Sequence, residues 1–138
     1  MSGAKLPKAW VKRLSTTELG KLDWLEGSWK RWIEPTRENR GMVFAMGMLE
    51  RGEKADWHEH EEPEVFFVLE GRGQARWKIN GEVSTARLEP GVAFYKVGGV
   101  PHRMLQTGRK PMRGLAFKIA RVDAARGADA SVRGESHG

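Results

Sequence analysis

In the stretch GEKADWHEHEEPEVFFVLEG, residues 52–71, His58 and His60 stand one residue apart and Glu64 follows shortly after. In a β-strand, residues i and i+2 point to the same side. The two imidazoles therefore project into one space. Glu64 opens the next strand after the turn EEP, and its side chain can return to that space from the neighbouring strand. The same period puts Phe66 and Val68 on that side as an apolar wall. A fourth candidate, His102, comes from the later stretch GVPHRM. Three imidazoles and a carboxylate converging in a dry cavity are costly unless a cation holds them. Neutral imidazole nitrogens and a carboxylate oxygen suit Fe, Mn, Ni, Zn, Co or Cu. On its own, the His-x-His pair is equally a surface feature among Asp56, Glu59, Glu61 and Glu62. Glu64 and His102 together make the metal cage the stronger reading.

Acid–base candidates beside such a centre are few. Tyr95 is the only tyrosine, and it faces the opposite side of its strand from Lys96, so at most one of them points inward. Gln106 and Met104 share the side of His102. Gln106 is a weak candidate for holding a water or a substrate oxygen. Met104 and Phe117, with Phe66 and Val68, are the expected pocket wall.

These residues need a β framework to bring them together. Short apolar runs recur along the chain: WKRWIE, GMVFAMGML, EVFFVLEG, GQARWKI, EVSTARL, VAFYKV, PHRMLQ and RGLAFKIA. Gly, Pro or Asn punctuates them. Asn80 and Gly81 form the preferred pair for a two-residue hairpin turn. Short strands at regular spacing with no helical period between them predict an all-β, antiparallel sandwich or barrel. Residues 29–120 form the expected domain, and residues 1–28 form an N-terminal arm with a short helical turn capped by Thr16 or Thr17. The polar, Gly-rich segment 121–138, which holds His137, reads as a flexible tail.

Cysteine is absent, which excludes disulfides, thiolate metal sites and cysteine nucleophiles. The formal net charge is +6, but the basic residues are scattered without a nucleic-acid-binding motif, so no nucleic-acid partner is expected. No apolar run approaches the length of a membrane helix and the first residues lack a signal-peptide core. A cytoplasmic protein with no membrane partner is the expectation.

The two histidine-containing stretches resemble the paired motifs of the cupin superfamily. The first, G-x5-H-x-H-x3-4-E-x6-G, is filled at Gly52, His58, His60, Glu64 and Gly71. The second, G-x5-P-x-G-x2-H-x3-N, is met at Gly91, Gly99 and His102, with Val97 in place of proline and Gln106 in place of asparagine. The resemblance covers residues 40–120 and is similar to small single-domain cupins. It implies a small antiparallel barrel of jelly-roll type, a double-stranded β-helix, with His58, His60, Glu64 and His102 as ligands of a divalent transition metal. It also implies a homodimer, for which the Trp-rich arm is suited.

The family spans dioxygenases, lyases, isomerases, decarboxylases, hydrolases and binders, so the fold alone does not choose a reaction. The layout is similar to small cupin lyases that cleave dimethylsulfoniopropionate. Those carry a tyrosine two residues after the glutamate ligand, where this chain has Phe66. An apolar wall without an evident general base favours chemistry done by the metal itself. The first expectation is therefore a metal-dependent oxygenase acting on a small organic, even anionic, molecule. A non-redox lyase, isomerase or decarboxylase is the alternative, and a non-catalytic small-ligand binder the third reading.

Overall fold

The computed structural model describes residues 8–122 and 132–134. Among them are ten strands and one short 3-10 turn, Thr16–Glu18. Ser15 caps that turn, its side chain accepting from the Thr17 amide; the expected caps, Thr16 and Thr17, lie inside it.

The strands are β1 (Ser28–Ile33), β2 (Met42–Leu49), β3 (Lys54–His60), β4 (Glu64–Glu70), β5 (Gly73–Ile79), β6 (Glu82–Leu88), β7 (Ala93–Lys96), β8 (His102–Gln106), β9 (Met112–Ile119) and β10 (Val132–Gly134). The eight apolar runs become β1, β2 and β4 to β9. β3 is too polar to announce itself by composition, and β10 lies in the segment read as a flexible tail. Most of that tail, including His137, lies outside the described residues.

All the pairings are antiparallel. One sheet runs β1-β2-β9-β4-β7, the other β10-β3-β8-β5-β6. This is the expected all-β architecture: two sheets face to face, their inner side chains alternating with outer ones. β8 shows the alternation cleanly, with His102, Met104 and Gln106 buried and the residues between them less so. The hairpin between β5 and β6 turns on Asn80 and Gly81, both at positive φ (53° and 81°), as a two-residue turn matched to strand twist requires.

The core between the sheets is built from Leu49, Ala55, Phe66, Val68, Ala75, Leu88, Phe94, Met104, Met112 and Ala116. Ala55, Phe66, Met104 and Ala116 also line the cavity described below, so the core is its floor. Gly47 has a packing reason. A Cβ there would overlap the Trp29 ring, which lies across the strand from it and forms part of the cavity wall.

Candidate metal centre

Strand register assembles the site. His58 on β3 is paired directly opposite His102 on β8, and His60 lies two residues along β3 on the same side. All three rings are buried. One ring nitrogen from each lies within 4.8 Å of the others.

The other nitrogen of each ring is already engaged. Nδ1 of His58 lies 2.7 Å from the Asp56 carbonyl, Nδ1 of His60 lies 3.0 Å from the Glu62 carbonyl, and Nδ1 of His102 lies 2.9 Å from the Val100 carbonyl. A carbonyl oxygen only accepts, so each Nδ1 carries the proton and donates it. In a neutral ring, Nε2 is then left with a lone pair. This is the outer support that orients histidine ligands. His102 Nε2 is buried and has no hydrogen-bond partner.

Burial is the main reason the His58 pKa falls to about 4 and that of His102 to about 2. The backbone carbonyls and Glu64 pull both upward, while Lys96 pushes them down. Both rings are therefore neutral at pH 7, the state that can bind a metal.

Glu64 approaches from the opposite sheet. Its Oε1 is 3.2 Å from His60 Nε2 and 4.0 Å from His102 Nε2. In a neutral His60 with its proton on Nδ1, the 3.2 Å contact sets two acceptors face to face, and a cation between them, proton or metal, satisfies both. Two ligands at right angles on a metal with bonds of about 2.1 Å would stand about 3 Å apart. The donor set thus fits a divalent transition ion. Three histidines form its tight group, and Glu64 stands at the edge of that group.

Lys96 holds Glu64 there. Its Nζ lies 2.9 Å from Oε1 and 4.5 Å from the centre of the Phe94 ring. The residue is only 5 % exposed. Burial opposes ionisation of Glu64, but the Lys96 ammonium and the His60 contact outweigh it and keep the carboxyl well below its usual range. Register explains the pair: Glu64 on β4 is flanked by Lys96 on β7 and Lys118 on β9. Lys118 reaches Glu62 Oε1 at 3.5 Å, and the same Glu62 oxygen lies 3.3 Å from His60 Nδ1.

Above the histidines opens a cavity of about 530 Å³, within the range for small-ligand sites. Leu22, Trp24 and Leu25 of the arm line it together with Trp29, Arg31 and Phe66. Trp24 stands edge-on to His58, with ring centres 5.5 Å apart. The arm therefore contributes to the cavity of its own chain.

Of the other residues expected at the site, Phe66 and Met104 line the cavity and the rest do not. Tyr95 points to the outer face of its sheet and is 61 % exposed, and Phe117 is 47 % exposed on the same face, against Phe44. Val68 faces inward but is fully buried in the core, beyond the cavity. Gln106 also faces inward, but its side chain is spent on backbone: it accepts from the Gly52 amide and donates to the Gly108 and Lys110 carbonyls. Glu62, Lys118, Leu22 and Leu25 had no signal in the sequence, while Trp24 belongs to the Trp-rich arm read as suited to a dimer. Lys96 had one, as the alternative to Tyr95.

The family model described as "Cupin domain" matches residues 45–118, which span β3, β4 and β8, the strands that carry all four candidate ligands. The chain belongs to the cupin family. No curated protein matches this cupin. Solved structures do. An oxalate decarboxylase from Lactobacillus farciminis, in complex with formate, superposes with a TM-score of 0.68 at 13 % identity, over 87 % of this chain and 34 % of that one. A vicilin from Solanum lycopersicum (tomato) gives 0.64 at 11 % identity, over 73 % and 30 %. A predicted oxalate decarboxylase from Thermotoga maritima gives 0.65 at 20 % identity, over 78 % and 98 %. This cupin thus spans about a third of the first two proteins and nearly all of the third. Oxalate decarboxylases and a vicilin share the fold, so the likeness is one of architecture.

Proposed function

We propose that this cupin is a metal-dependent enzyme acting on a small organic molecule, and that oxygen-dependent oxidation, as by a dioxygenase, is its first reaction. His58, His60 and His102 would hold the ion, with Glu64 as fourth ligand. The observation that carries the reading is the set of three buried imidazoles, each held at Nδ1 by a backbone carbonyl and each bringing one ring nitrogen within 4.8 Å of the others beneath an open cavity. A bound divalent ion supplies Lewis acidity there and, when redox-active, electrons to dioxygen. The chain's own residues do the rest. Trp24, Trp29, Leu25 and Phe66 exclude water and present an apolar surface to the substrate, and Lys96 sets the position of Glu64.

One observation favours a second reading, non-redox lyase, isomerase or decarboxylase chemistry. Lys96 gives the site an ionisable group that the sequence had not clearly placed inside. Cleavage of dimethylsulfoniopropionate ranks low within this reading. Phe66 occupies the position of the tyrosine in that subgroup, and Tyr95 faces outward, so among the described residues no phenol reaches the cavity.

The homodimer expected from the sequence is also proposed. A cross-strand row of Phe44, Phe117, Val65 and Tyr95 lies on the outer face of the first sheet, and a second copy of this chain would cover it. Light scattering on the purified protein tests this, and a monomeric mass at micromolar concentration would refute it.

The test of function begins with elemental mass spectrometry of protein purified without added metal. Near-stoichiometric iron, manganese or copper, followed by substrate-dependent oxygen uptake with small organic acids and enols, supports the oxygenase. Turnover without oxygen supports the second reading. Binding without turnover would leave a small-ligand binder.

A further inference from the structure

Glu64 Oε1 has two claimants. Lys96 Nζ holds it at 2.9 Å, and it is also the oxygen nearest His60 and His102, where a metal would draw on it. If the carboxylate turns its charge to a divalent ion, Lys96 is left buried beside that ion. Its remaining contact is the Phe94 ring. A buried ammonium without a counter-ion is strongly disfavoured, and a neighbouring divalent cation makes it worse. An anion entering the site would restore its counter-ion.

The cavity is suited to supply one. Lys30, Arg31, Lys96 and Lys118 line it against Glu34 and Glu64. With Glu62, which pairs with Lys118, counted as well, four cationic side chains stand against three carboxylates around the cavity before any metal is added. The rest of the wall is apolar or aromatic, so an organic acid with a short apolar body fits better than an inorganic anion.

We propose that Lys96 is the anchor for the carboxylate of a small organic acid, and that uptake of this anion and of the metal are coupled through Glu64. Each ligand then favours the other, because coupling between two sites is reciprocal. This names the substrate class of the proposed function and rests on that function's metal centre.

The test needs no turnover. Metal-stripped protein is titrated with Co2+, followed by visible absorbance, with and without pyruvate, using methyl pyruvate as the uncharged control. In the wild type, pyruvate raises the apparent Co2+ affinity at least tenfold beyond the methyl ester. In Lys96→Met, Co2+ binds at least as tightly as in the wild type, because the competitor for Glu64 is gone, and the pyruvate effect disappears. A pyruvate effect that survives in Lys96→Met overturns the anchor while the metal centre stands, as does the absence of any effect in the wild type. Failure of the wild type to take up Co2+ overturns the metal centre and the anchor with it. Glu64→Gln provides a measurement independent of the lysine variant's folding: its metal-free form binds pyruvate at least tenfold more tightly than the metal-free wild type. Equal binding by the two metal-free proteins also overturns the proposal.

Discussion

Acid should destabilise the metal-free protein well before its carboxylates titrate. His58 and His102 are buried as neutral rings, with pKa values lowered to about 4 and about 2 from the ordinary 6.5. Below pH 6.5 the unfolded chain therefore takes up protons that the folded chain refuses. Stability is full above pH 6.5 and is lost as pH falls through the window from 6.5 toward 4 for His58 and toward 2 for His102. Between pH 7 and pH 5 each histidine costs about 2 kcal/mol, and the pair about 4 kcal/mol as an upper figure, since the two rings interact. That is a large share of the ~5–15 kcal/mol that holds a typical domain together. Glu64 acts in the same direction but lower: its stabilisation is present above about pH 4.5 and fades below it. Urea unfolding of chelator-treated protein, followed by tryptophan fluorescence at pH 7, 6 and 5, reads this directly. The midpoint should fall steadily with an unchanged slope. His58→Gln combined with His102→Gln should flatten the dependence. Metal-free protein equally stable at pH 7 and pH 5 would refute the reasoning, because the two rings would then not be buried and neutral.

Several substitutions test the geometry. His60→Ala should lose most of the bound metal, read by elemental analysis, while circular dichroism still reports a folded β protein. Gly98→Ala would drive a Cβ into the Glu61 carbonyl oxygen and should cost about 1–3 kcal/mol in urea unfolding, weakening metal binding as the loop before His102 shifts. Leu49→Ala, at a fully buried position, should cost about 2–5 kcal/mol, measured in the same way. Tyr95→Phe should change neither metal content nor ligand binding in the cavity, as measured by calorimetry.

Much of the centre was legible because imidazoles are conspicuous and strand alternation is strict. The spacing of His58 and His60 put them on one side of a strand, and their buried ring nitrogens lie within 4.8 Å of each other and of His102. Alternation tells which side a residue faces but not how deep it lies. Val68 is four residues past Glu64, and Gln106 four past His102. Each faces inward as expected, yet lies about 13 Å further along its strand, outside the cavity. Phe117 was placed inside because it is apolar. Its neighbour Lys118 took the inward position instead, with Glu62 Oε1 3.5 Å away to pair the charge. Lys96 inverts the usual pattern for the same reason. Only the register of β7 against β4 shows that a carboxylate waits opposite, and register between strands is not written in either strand alone.

The direct pairing of His58 with His102 also bears on how the protein folds. The two residues are far apart in sequence, so their strands meet only after a long loop has closed, and such contacts form slowly. His58 and His60 are neighbours and can hold an ion weakly in an extended, unfolded chain. The complete cage exists only once β3 and β8 are zipped together. An ion bound there would act as a late clasp, leaving the refolding rate nearly unchanged and slowing the rate at which the two strands come apart.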